Sequence, residues 1–138
     1  MKLSSNGKIL AVLLVVFVVC DIFLTPIGGL ETRSFANTTS IGYTAVVVLF
    51  VGLVVNVISL ILLFRKPRPA SMLAVIGSIL FFPALIVDQA GLFSSQTAPM
   101  AITVLEWVTG VVLVVVIFFA SRVHKENAAP QPVAGPQK

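Results

Sequence analysis

The chain has 138 residues, 58% of them hydrophobic and only 10% charged, with a formal net charge of +4 and a mean hydropathy of +1.10. Soluble domains carry about 25% charged residues, so this composition excludes an ordinary water-soluble globule and describes an integral membrane protein. A pI near 9.7 does not point to nucleic acid, because no basic domain is present to grip it.

Crossing a hydrocarbon core of about 30 Å takes roughly 20 mainly apolar residues in a helix. The first such stretch is 8–27, "KILAVLLVVFVVCDIFLTPI". The head before it, "MKLSSNGK", is basic and could belong to a cleavable signal. No small-x-small cleavage site follows, so a retained anchor is expected. Cys20 is the single cysteine; it excludes an internal disulfide and reads as a small hydrophobe. The Pro- and Gly-containing connection "TPIGGLETRSFANTTS" then breaks the helix. It holds an acceptor sequon, Asn37-Thr38-Thr39, a pattern short enough to arise by chance.

The second helix is expected over 41–64, with Ser40 placed as its cap. Asn56 and Ser59 lie one turn apart in this helix, with Gly52 on the face of Asn56, and predict an interhelical polar contact. "RKPRP" separates it from a third helix over 70–93. Pro83 inside that helix removes an N–H, predicting a kink or a freed carbonyl near Ile79. A structural kink is the ordinary reading, and a break that lines a cavity the functional one. "SSQTAP" leads to a fourth helix over 99–121, with Pro99 in its first turn. Residues 1–126 thus make one transmembrane domain, and "NAAPQPVAGPQK" over 127–138 predicts a disordered tail. Connections this short predict an all-α, up-down-up-down four-helix bundle.

Orientation follows from Lys and Arg, which cytoplasmic loops carry in excess. Lys2, Lys8, Arg65, Lys66, Arg68, Arg122, Lys125 and Lys138 fall on one side and only Arg33 on the other. Both termini and the second connection are therefore expected in the cytoplasm. The basic rim of Arg65, Lys66, Arg68, Arg122 and Lys125 sets topology and can attract anionic lipid, at about 1 kcal/mol per charge. Tyr43 and Trp107 fall toward the opposite, outer ends of their helices, where amphipathic rings favour the headgroup zone.

Three carboxylates fall inside the apolar stretches. At 1.5 Å per residue, Asp21 lies about 20 Å from Lys8, Asp88 about 27 Å from Ala70 and Glu106 about 24 Å from Arg122, so all three occupy one outer-half layer. Glu106 shares a stripe with Thr103, Thr109 and Gly110, and Asp88 shares one with Ala84, Gly91 and Ser95, which predicts that both face protein. Asp21 has mainly Leu, Val and Phe around it and would meet lipid unless another helix covers it. An unpaired charge in a membrane costs several kcal/mol, about 2.5–3.5 on insertion scales. Arg33 is the one outer base that can fold back to pair. Three such groups close together would hold a proton, a sodium ion or a divalent cation, the last with oxygen ligands such as Gln89 or Thr103 added. The alternative is that each carboxylate reaches interfacial water by itself.

The sole histidine, His124, lies in the cytoplasmic flank, so intramembrane haem or copper ligation is not expected. With no HExxH, no Gly-rich phosphate loop and no nucleophile near a histidine, neither an enzyme nor a cofactor is expected. Two functions remain. One is an accessory or scaffold subunit packed in the bilayer against other membrane proteins or against its own copies. The other is an oligomeric proton or cation transporter or channel built on Asp21, Asp88 and Glu106.

Overall fold

The computed structural model of the chain describes residues 3–128. Within them are four helices, α1 (Ser5–Leu24), α2 (Ser40–Leu63), α3 (Pro67–Gln89) and α4 (Met100–Ala128). All four are long and apolar enough to cross a membrane. Two single 3-10 turns, Pro26–Gly28 and Phe35–Asn37, shape the α1–α2 connection.

Local chemistry moves the helix ends away from the sequence expectation. Ser4 caps α1 by accepting a hydrogen bond from the Gly7 N–H (3.1 Å), so the helix starts at Ser5 and not at Lys8. It stops at Leu24 because Thr25, the residue before Pro26, is extended. The cap of α2 is Thr39, whose hydroxyl accepts from the Gly42 N–H at 2.9 Å; Ser40 is the first helical residue. α3 begins at Pro67, inside "RKPRP", since a proline in the first turn lacks only an N–H that would be orphaned anyway. It ends at Gln89 in a Schellman turn: Gly91 takes φ +69°, its N–H donates to the Asp88 carbonyl (2.9 Å) and Leu92 N–H donates to Val87 (3.0 Å). Leu92 and Phe93 are thereby released to the connection. Pro83 is accommodated within α3, which stays helical from Pro67 to Gln89.

Pro99 lies just outside α4 and accepts from the Thr103 N–H (3.1 Å). α4 continues past Ser121 to Ala128, so Asn127 and Ala128 belong to the helix and not to a tail. Glu126 explains the extension, since Ser4 Oγ (2.8 Å) and Asn6 Nδ2 both donate to it and tie the last turn of α4 to the start of α1. The rest of the expected tail, 129–138, lies outside the described residues.

α2 and α3 pack side by side in opposite directions. Ser59 Oγ donates to the Ala70 carbonyl (2.7 Å), Asn56 lies on Gly77, and Gly42 meets Phe93. This α2–α3 approach depends on missing side chains: a Cβ on Gly42 would stand 2.2 Å from the Phe93 carbonyl oxygen, and one on Gly77 would stand 2.8 Å from the Asn56 carboxamide. Leu10, Leu14 and Phe17 of α1 pack with Leu63, Phe81, Leu113 and Val116 into one apolar core, where the Phe17 and Phe81 rings meet edge to face at 6.3 Å. Large apolar side chains face outward: Val12, Val47, Ile61, Ile86 and Val111 are each more than 60% exposed. Asp21, Asn56, Ser59, Ser78 and Thr109 are fully buried. Water would penalise that arrangement, whereas hydrocarbon outside the bundle favours it.

Candidate functional site

The bundle end that carries the α1–α2 and α3–α4 connections is closed by a folded loop. Thr39 N–H donates to the Phe93 carbonyl (3.0 Å), Ser95 N–H and Ser94 Oγ both donate to the Asn37 carbonyl (3.1 Å each), and Thr38 pairs with Ser94 in an isolated antiparallel bridge. The two connections thus hold each other and set the backbone that carries Arg33.

From there the Arg33 guanidinium reaches α3 and grips Asp88 with both prongs, Nη1 to Oδ1 at 2.5 Å and Nη2 to Oδ2 at 2.8 Å. Its remaining edge faces Glu31, with Nη2 to Oε2 at 2.6 Å and Nε to Oε1 at 3.0 Å; the Arg33 backbone N–H also donates to Glu31 Oε1 (2.8 Å). The Phe93 ring lies 4.6 Å from the guanidinium carbon and covers its face. Burial of Arg33 by itself works against its charge, but the hydrogen bonds it donates to Asp88 and Glu31 outweigh that and raise the pKa above the ordinary value. The fork geometry is the kind that arginine makes and lysine does not.

Glu106 of α4 shares the wall of one cavity with Asp88 and accepts from Gln89 Nε2 at 2.6 Å. Around one arginine the site therefore assembles three carboxyl groups, Glu31, Asp88 and Glu106. They line a cavity of about 100 Å³ with Leu24, Leu49, Ala84, Phe93 and Ile102, a volume equal to about three waters. Away from the loop the cavity gives way to the Phe17–Phe81 core.

Asp21 takes no part in this site. It is fully buried, and neither carboxyl oxygen has a hydrogen-bond partner among the described residues. The Ser4–Glu126 contact sets an α1–α4 register in which Asp21 is level with Thr109, whose hydroxyl is committed to the Leu105 carbonyl (2.7 Å). A neighbouring helix does cover Asp21, but it does not bring it to Asp88 and Glu106. Among the described residues, no three His, Cys, Asp or Glu side chains are arranged to hold a metal ion.

Residues 6–133 match the family described as "Domain of unknown function (DUF8051)". The chain belongs to the DUF8051 family. No curated protein and no solved structure matches it. The DUF8051 match spans all four helices and includes Glu31, Arg33, Asp88 and Glu106.

The other candidate residues of this DUF8051 chain fall elsewhere. Ser59 makes the expected interhelical bond, to Ala70. Asn56 does not: both amide atoms are buried without a hydrogen-bond partner among the described residues, and the side chain instead fills the space left by Gly77. Pro83 does not line the carboxyl cavity; it lines a groove with Ile41, Val87 and Ala45, the last of which is shared with that cavity. Arg65, Lys66, Arg68, Arg122 and Lys125 gather at the opposite end from Arg33. Glu31 and Phe93 are the site residues that sequence reasoning missed. The Glu-x-Arg spacing was a readable sign for the first, since alternate residues of an extended loop share a side; the second needed the contacts between the α1–α2 and α3–α4 connections.

Proposed function

We propose that the chain is a polytopic membrane protein with both termini and the α2–α3 connection in the cytoplasm, and that it serves as a non-catalytic accessory or scaffold subunit of a larger membrane complex. The observation that carries this reading is how the carboxylates are used. Asp88 is gripped by Arg33, and Leu14, Phe17, Phe81 and Leu113 fill the bundle below the site. The polar groups hold the loop in a fixed position and do not line a path through a single chain. In this orientation the loop is an ordered outer surface, available for contact with a larger partner.

A second reading, an oligomeric proton or cation transporter, is favoured by one observation. Glu106 and Asp88 share the wall of one cavity, an arrangement that takes up a proton or a small cation. The apolar core would force any path to run between copies.

Purification from the native membrane in mild detergent separates the two. Recovery in fixed stoichiometry with larger membrane proteins supports the subunit. If the chain emerges alone or as a homo-oligomer, and proton or cation flux in liposomes falls with Glu106→Gln, the transporter reading replaces it. Orientation has its own check: Lys66→Cys, in a Cys20→Ser background, is expected to label only from the cytoplasmic side, and labelling from outside would reverse the assignment.

A further inference from the structure

At the basic end of the bundle, α3 and α4 part to leave a groove of about 380 Å³. Its chemistry is graded along its length. Toward the middle of the helices it is walled by Met72, Val75, Ile76 and Ala120, and toward the rim by His124 and Lys125. Ile76 lies five residues along α3 from Ser71 at the rim, an inward rise of about 7.5 Å. An apolar trough that ends in a cation at the helix terminus has the profile of an amphiphile lying along a transmembrane helix.

The polar groups at the rim are not equally engaged. Ser71 and Ser121 spend their hydroxyl protons on the Arg68 and Ile117 carbonyls. Arg122 lies over the Phe118 ring, 4.5 Å from its centroid. His124 Nδ1, by contrast, is buried with no hydrogen-bond partner among the described residues, and the exposed Lys125 makes no ion pair among them. Charge supplies the sign of the occupant. Lys8, Arg65, Lys66, Arg68, Arg122 and Lys125 share this end with one described acid, Glu126, which Ser4 and Asn6 already satisfy.

We propose that the α3–α4 groove is a binding site for an anionic phospholipid, its acyl chain against Met72, Val75, Ile76 and Ala120 and its phosphate against Lys125 at the mouth. A zwitterionic lipid carries the same chain but offers the rim no net negative charge. A second copy of the chain would bring more cations to a rim that already has a surplus.

The test is native mass spectrometry of the full chain, released from detergent micelles that hold equal amounts of phosphatidylglycerol and phosphatidylcholine. Wild type is expected to retain one phosphatidylglycerol in preference to phosphatidylcholine, and Lys125→Ala to lose that preference by about fivefold, the factor for one basic contact. Lys8→Ala, which removes a cation from the same end but not from the groove, is expected to leave retention unchanged. Ile76→Trp fills the trough and is expected to reduce retention of either lipid. Equal retention of the two lipids by wild type, or an equal loss from Lys8→Ala and Lys125→Ala, overturns the proposal. A lipid-free dimer in the same spectra overturns it as well, by placing a second copy in the groove.

Discussion

Replacing Arg33 with alanine removes the one cation from a site that holds Glu31, Asp88 and Glu106. The side chains of Arg33, Glu31 and Asp88 are only 6%, 10% and 5% exposed, so the substitution strands two carboxylates away from water. Breaking a buried pair by deleting one partner costs about 3–5 kcal/mol; the site lies at a loop end that water can approach, which places Arg33→Ala near the lower figure, about 3 kcal/mol. Asp88→Asn alone is expected to cost about 2 kcal/mol, the worth of hydrogen bonds to a charged group, because Arg33 keeps Glu31. The double variant is then expected to cost about 3 kcal/mol and not the additive 5, a coupling of about 2 kcal/mol. Reversible unfolding in mixed detergent micelles, followed by near-ultraviolet circular dichroism, measures all four proteins. A cost for Arg33→Ala below about 0.5 kcal/mol, the scale of an exposed pair, or strict additivity with Asp88→Asn, would refute the buried network. Arg33→Lys is expected to recover only part of the loss, since an ammonium cannot span both Asp88 oxygens and Glu31 together.

Gly77→Ala is expected to destabilise by about 2 kcal/mol through overpacking against Asn56, and Asn56→Ala in the same chain to relieve most of that cost; equal penalties in both backgrounds would mean that the Gly77–Asn56 approach is not what limits the site. Asp21→Val, which exchanges an unpartnered buried carboxyl for an apolar group of similar size, is expected to leave stability unchanged or raise it by about 1–3 kcal/mol, and a fall in the same unfolding assay would reveal a partner for Asp21. Gly42→Ala places a methyl against the Phe93 carbonyl and is expected to cost about 3 kcal/mol and to loosen the loop; faster amide hydrogen exchange at Thr39 and Ser95, whose N–H groups bond across the two connections, is the readout.

The apolar runs, the punctuation between them and the excess of small polar residues on single helix faces are properties of the chain in one dimension. They were enough to read four membrane-length helices and the inward faces of Asp88 and Glu106, because a helix repeats its faces every 3.6 residues whatever it packs against. Helix ends were read less well. Ser4, Thr39 and Gly91 each set a boundary through one hydrogen bond or one left-handed residue, and several nearby residues could have done so. Rise along each helix is likewise a one-dimensional quantity, and it assigned Asp21, Asp88 and Glu106 to one layer.

Depth says nothing about azimuth or about which helices adjoin, and there the tertiary structure decided. It set Glu106 on the same cavity wall as Asp88, buried Asp21 outside that wall, and folded the α1–α2 loop so that Arg33 and Glu31 took Asp21's place in the site. The physical reason is that an ion pair answers to distances of about 3 Å, whereas hydropathy and helical period locate a side chain only to within a turn. Loop closure through Thr39, Ser94 and Ser95 supplied the missing precision.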